Sequence, residues 1–247
     1  MARLEEFGVG QNVAVPVAAE GAARFAREKG LVRPNRFDNV VVNIPQALRI
    51  AREYNAAPKF DPEAVPHFKA MADETREQFD YMTRPQSKGG LGIDVSVTKQ
   101  DPYARAADMM KDANRGKFSV LSTAQTGGHP YFTDEENDMF RAVHDFFGHA
   151  ATGRGFDPHG EEAAFRSHYA MFSPQARPAM ATETRGQNSA LNYGPTPGKF
   201  AEQKVVTLPS AQLITPIGRR SMLIQGIQEA QRAHKTMLKG FNRGEPN

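Results

Sequence analysis

The chain of 247 residues contains no cysteine. Disulfides, thiolate-held metals and cysteine nucleophiles are therefore excluded, and any bound metal must rest on nitrogen and oxygen ligands. It also lacks tryptophan. No run of about 18 apolar residues occurs, so no membrane span is expected. The start, Met1-Ala2-Arg3-Leu4-Glu5-Glu6, leads into no apolar segment of the secretory kind, so cleavage by a signal peptidase is not expected. Neither charge sign is scarce: 31 Lys and Arg stand against 28 Asp and Glu, a net +3. The excess is concentrated near the end, in Arg219, Arg220, Arg232, Lys235, Lys239 and Arg243 against Glu229 and Glu245. A solvated helix face explains that excess, with contact to nucleic acid or an acidic partner as the alternative. P-loop, HExxH, Rossmann, zinc-finger and helix-turn-helix patterns are missing, so nucleotide cofactors and sequence-specific nucleic-acid binding have no support.

What is present reads as a mostly α-helical α+β chain. Residues 1–17 are expected to be an extended arm, and 18–247 a single helical domain with a few short strands around a buried His/Glu site. Helices are predicted over Ala18–Lys29, through Ala47–Tyr54, from Asp61-Pro62 through Met82, from Asp101-Pro102 through Met110, and from the Thr133–Glu136 capping box through Phe147. Further helices begin at Asp157-Pro158 and Ser173-Pro174, and a last one spans Ser221–Leu238. Short strands are expected at Val40–Val42, at Ile93–Val97 and at Lys117–Ser122.

The densest chemistry is Val143-His144-Asp145-Phe146-Phe147-Gly148-His149. Neutral imidazole is the commonest protein metal ligand, and apolar neighbours shield a bound ion from solvent. Residues five apart on an α-helix point about 140° apart, since each turns about 100°. His144 and His149 can share an ion only if the helix ends or bulges between them. Gly148 stands at that point, tolerates the departure, and wide-helix bulges recur at functional sites. A third ligand is available from Glu161, Glu162 or His168 on the next helix, or from Glu183 on the one after. Two neutral histidines and one carboxylate suit non-haem Fe(II), with open positions for oxygen and substrate; Zn(II) with an activated water, or Mn(II), is the alternative. Two half-buried histidines bonded to backbone would also account for the pair. His67, His129, His159 and His234 look isolated. In Glu183-Thr184-Arg185-Gly186-Gln187-Asn188, the first residue and Gln187 sit one helical turn apart, and Arg185 or Asn188 is suited to an anionic or amide ligand.

His144-Asp145-Phe146-Phe147-Gly148-His149 resembles the iron-binding His-Asp-x-x-Gly-His segment of the aromatic amino acid hydroxylases. That resemblance implies His144, His149 and Glu183 as Fe(II) ligands. With the metal there, Asp145 is expected to orient an imidazole, Glu162 or His168 to act as acid/base or alternative ligand, and Arg185, Gln187 and Asn188 to hold a small-molecule substrate. Pterin-binding segments are not found, so pterin is not supported. His144-Asp145 with His159-Gly160-Glu161 also looks like the HD-domain phosphohydrolases. Those need an earlier histidine, for which His129 is available, and a later aspartate, and none follows Asp157. Phe140–Asp145, Gly160–Glu162 and Thr182–Ser189 together are similar to uncharacterised proteins encoded by tailed bacteriophages, some of them segments of virion-associated polypeptides. That likeness implies the host cytoplasm or the virion as location and, as a further alternative, an assembly role with virion subunits as partners.

Overall fold

A computed structural model describes residues 13–34, 36–37 and 40–214. Within them the chain is a mostly helical α+β fold, as its periodicity predicts. α1 (Pro16–Glu28) begins two residues ahead of the expected helix start at Ala18, with proline in its first turn. The residue before it is tied down, Val15 N–H donating to Ala150 C=O at 2.8 Å. Residues 1–12 and the helix expected at Ser221–Leu238 lie outside the described residues.

α2 (Ile44–Ala56) is capped by the Asn43 side chain. Asp61 caps a short 3-10 turn, Pro62–Ala64, that leads into α3 (Val65–Thr83). α3 buries Phe68, Met71, Ala72, Thr75, Gln78, Tyr81 and Met82 along one side. β1 (Asp94–Thr98) and β2 (Lys117–Leu121) pair in parallel, Asp94 opposite Lys117 and Thr98 opposite Leu121. Parallel neighbours need a crossover, here α4 (Ala106–Ala113). α4 starts later than Asp101-Pro102 suggests, because Asp101 folds back to accept from Tyr103 N–H.

The expected strand at Val40–Val42 does not form. Its backbone is claimed by side chains: the Arg154 guanidinium donates to Val40 C=O, and Val42 N–H donates to His159 Nδ1. A strand does not pair through groups already in use.

α5 (Asp134–His144) opens with both halves of the predicted capping box. It runs without interruption into a π-helical segment, Asp145–Ala150, in which Phe146, Phe147, Gly148, His149 and Ala150 are buried. α6 (Pro158–Tyr169) follows, capped by Asp157. The helix expected from Ser173-Pro174 instead forms α7 (Arg177–Ala181), a second π-helical segment Thr182–Gly186, and α8 (Gln187–Tyr193). α9 (Pro209–Gln212) ends the described chain. The main apolar core is continuous from Val15 and α1 to Ala211, with Phe146, Phe147, Phe165, Phe172 and Tyr54 fully buried. No described helix is long and apolar enough to cross a membrane.

Candidate metal centre

The π-helical segment is the departure that the histidine spacing requires. Its hydrogen bonds run i to i+5, so residues five apart are brought toward the same side. His144 closes α5, His149 lies inside the wide turn, and their ring centroids are 5.5 Å apart. Gly148 serves this arrangement by its size. Its φ is not left-handed, but a Cβ there would meet Ala164 Cβ and Ala164 C=O at 3.1 Å. The missing side chain lets α6 lie directly against the wide turn.

That contact decides the third member of the group. Glu161 sits one turn before Ala164 on α6. His144, His149 and Glu161 each offer one ligand atom, and these atoms lie within 4.8 Å of one another. Ligands held about 2.0–2.2 Å from one ion stand roughly 3–3.6 Å apart, and His149 Nε2 is already 3.5 Å from Glu161 Oε1. His149 is 1% exposed and His144 9%, while the Glu161 side chain keeps 18%. The Phe156 ring, 42% exposed, stands edge-on 5.1 Å from the His149 ring.

The hydrogen bonds set the protonation pattern. His149 Nδ1 donates to Arg154 C=O at 3.2 Å, which leaves Nε2 as the nitrogen that faces Glu161. Arg154 is itself anchored by Phe37 C=O and Val40 C=O. His144 Nδ1 lies 3.3 Å from His168 Nδ1, and His168 Nε2 lies 2.7 Å from Gln78 Oε1. A ligating histidine that donates its other N–H to a carbonyl or a similar acceptor is the usual metal-site arrangement. Glu161 Oε2 accepts from Asn188 Nδ2 at 2.8 Å, which orients the carboxylate.

Charge complements this geometry. Burial alone would lower the His149 imidazole, but the Glu161 carboxylate, with help from Asp145, lifts it to about 9. Burial would raise Glu161, yet His149 and His144 hold it well below the usual carboxylate range. Burial, with His144 and Arg33 nearby, pushes His168 far down, so it is neutral.

Several expected roles move. Glu183 does not join the histidine pair. Its Oε1 faces His129 Nε2 at 3.2 Å, and its Oε2 accepts from Gln187 at 2.7 Å. His129 Nδ1 accepts from the N–H groups of Tyr131 and Phe132, so its proton sits on Nε2, which approaches Glu183 Oε1 without hydrogen-bond alignment. Gln187 therefore braces Glu183. Asp145 orients neither imidazole, since Arg154 C=O and His168 hold them; burial pushes its carboxyl up, against the pull of His149 and His144. An HD-type centre would need that carboxylate as a ligand, and it is not in the converging group.

Glu162 is committed as well. It accepts from Arg166 Nε and, at both oxygens, from Arg185, all at 2.8–2.9 Å and all buried. Arg185 spends its other donors on Ala211 C=O, Leu213 C=O and Gln46 Oε1. Neither side chain has a group left for a substrate. His168 is fully buried and uses both nitrogens. Asn188, expected on substrate, holds Glu161. Beside Glu161 lies a small cavity of about 20 Å³ with a mixed lining that includes Val42, Ala47, Pro158, Asn188, Asn192 and Tyr193. That is room for about one water.

Three participants escaped the sequence reading: Gln78, the Arg154 carbonyl and the choice of Glu161. Between Glu161 and Glu162, though not against Glu183, a signal existed. Glu162 and Arg166 are an i,i+4 pair on one helix, which marks Glu162 as spoken for and leaves Glu161 on the adjoining face.

Fold and site together define a helical α+β protein with a buried cluster of two histidines and one glutamate, of the kind able to hold a metal. The chain matches no protein-family model, no curated protein and no solved structure.

Proposed function

We propose that the chain is a metal-dependent protein holding one divalent ion on His144, His149 and Glu161, with Fe(II) as the first candidate and Zn(II) or Mn(II) as the alternatives. The carrying observation is the convergence of the three side chains, with the outer nitrogen of each imidazole already hydrogen-bonded. Two neutral nitrogens and one carboxylate leave open positions on a six-coordinate ion, which is the requirement for oxygen chemistry at Fe(II). A bound Fe(II) would supply oxygen activation. The chain supplies orientation through Arg154 C=O, His168 and Asn188, and an apolar cover through Phe140 against the His144 ring and Phe156 against the His149 ring. The cavity beside Glu161 admits a molecule the size of water.

The test is metal content of protein purified without a histidine tag and reconstituted with Fe(II), Zn(II) or Mn(II). Uptake of about one equivalent is expected. His149→Ala or Glu161→Ala should reduce it to under about a tenth, while folded Glu183→Ala should retain it. Failure of the wild-type chain to take up any of the three ions would overturn the proposal. Oxygen consumption by the Fe(II) form, against hydrolysis by the Zn(II) form, then separates oxygenase from hydrolase.

A further inference from the structure

A glutamine on α3 is coupled to the candidate centre through a histidine that is not one of its ligands. Gln78 and His168 are both 0% exposed, and His144 is 9% exposed. The chain of contacts runs from Gln78 Oε1 to His168 Nε2 at 2.7 Å, and from His168 Nδ1 to His144 Nδ1 at 3.3 Å. When two ring nitrogens share a hydrogen bond, one carries the proton and the other does not. With the amide oxygen of Gln78 as acceptor, His168 is protonated at Nε2 and presents a lone pair at Nδ1. His144 then donates from Nδ1 and keeps its lone pair at Nε2.

Reversing the amide reverses every bond. Gln78 Nε2 would donate to His168, His168 would donate to His144 Nδ1, and His144 would carry its proton at Nε2, where it binds no metal. Nothing else on the amide opposes that reversal, since Gln78 Nε2 has no hydrogen-bond partner among the described residues. Orientation of one buried amide therefore separates a metal-competent His144 from an incompetent one.

We infer that Gln78 is a positioning residue that selects, through His168, the metal-binding tautomer of His144. The inference rests on the reading of His144, His149 and Glu161 as a metal centre. Its consequence differs from that of simple packing. Without an acceptor at position 78, a proton on His168 Nε2 would be a buried unsatisfied donor, which is costly. The proton moves to Nδ1, and His144 is driven into the wrong form. A methionine of similar length keeps a weak acceptor and no donor, so it preserves the polarity.

The experiment compares wild type, Gln78→Leu and Gln78→Met. Zinc affinity is measured by competition, folding by circular dichroism, and imidazole tautomers by long-range proton–nitrogen NMR. Zinc-loaded wild type should show His168 protonated at Nε2 and His144 at Nδ1. Folded Gln78→Leu should bind zinc about 10–100-fold more weakly, the usual cost of losing such an outer partner, with His144 protonated at Nε2 when metal-free. Gln78→Met should stay close to wild type. Folded Gln78→Leu with wild-type affinity and His144 still protonated at Nδ1 would overturn the inference. So would zinc-loaded wild type with His168 protonated at Nδ1, a result that stands even if the leucine variant does not fold. A wild-type chain that takes up no zinc, iron or manganese would instead defeat the metal reading, and the metal-free tautomers would still decide the role of Gln78.

Discussion

Replacing Gly148 with alanine tests whether the centre depends on how closely two helical segments approach. The new Cβ would stand 3.1 Å from both Cβ and C=O of Ala164 and 3.3 Å from its Cα. Two of those atoms are backbone, so relief must come from displacing α6 and not from rotating a side chain. Overpacking of this kind costs about 1–3 kcal/mol. Alanine in a helical segment returns about 1 kcal/mol relative to glycine. A net loss of roughly 1 kcal/mol remains, which lowers Tm by about 2–4 °C in a chain of this size. The sharper readout is affinity. Glu161 rides on α6 one turn from the contact, and a site of this kind tolerates displacements of only about 0.5 Å. Zinc binding, followed by competition titration, should weaken by about tenfold or more. Adding Ala164→Gly removes one contact but leaves the carbonyl at 3.1 Å, so recovery should be partial. If Gly148→Ala proved more stable than wild type and bound zinc equally well, the close-approach account of Gly148 would be refuted.

Two other outcomes follow from charge. In the metal-free chain His149 is lifted to about 9, burial being outweighed by the Glu161 carboxylate, and a metal must displace that proton. Apparent zinc affinity should therefore rise about tenfold per pH unit up to about 9 and level off above it; a flat profile between pH 7 and 8.5 would contradict this. Because the folded value lies above the ordinary 6.5, this group's stabilisation of the metal-free fold is complete below about 6.5 and lost as pH rises through 9. The second outcome concerns Glu162→Gln, which leaves the buried guanidiniums of Arg166 and Arg185 without their carboxylate. Removing one member of such a cluster costs about 3–5 kcal/mol, so thermal scans should show a fall of roughly 10 °C, with zinc stoichiometry unchanged in the folded fraction. Full stability with lost turnover would restore Glu162 as a catalytic acid.

Much of the fold was legible because it obeys local rules. The Thr133–Glu136 box, the Asp157 cap and the alternation at Ile93–Val97 each specify an element within a few residues. Failures occurred where a distant side chain intervened. Val40–Val42 has the composition of a strand, but Arg154 and His159, more than a hundred positions away, take its backbone groups. The stretch after Ser173 has helical periodicity, yet Ser173 forms a turn that accepts from Ala176 N–H and Arg177 N–H, and the winding then widens at Thr182–Gly186.

The site shows the same division more sharply. Winding is a property of one segment, so the angle between His144 and His149 demanded a wide turn, and one is present. Choosing between Glu161 and Glu183 needs the packing of separate helices, which no spacing encodes. Here the deciding feature is a pair of small residues, Gly148 and Ala164, whose contact sets α6 against the wide turn. One turn along α6 that contact brings Glu161 to the imidazoles, while the second π-helical segment directs Glu183 to His129. A carboxylate becomes a candidate ligand through the depth at which its helix docks. The small residues that set this depth carry no chemistry of their own, so a search for metal-binding side chains passes over them.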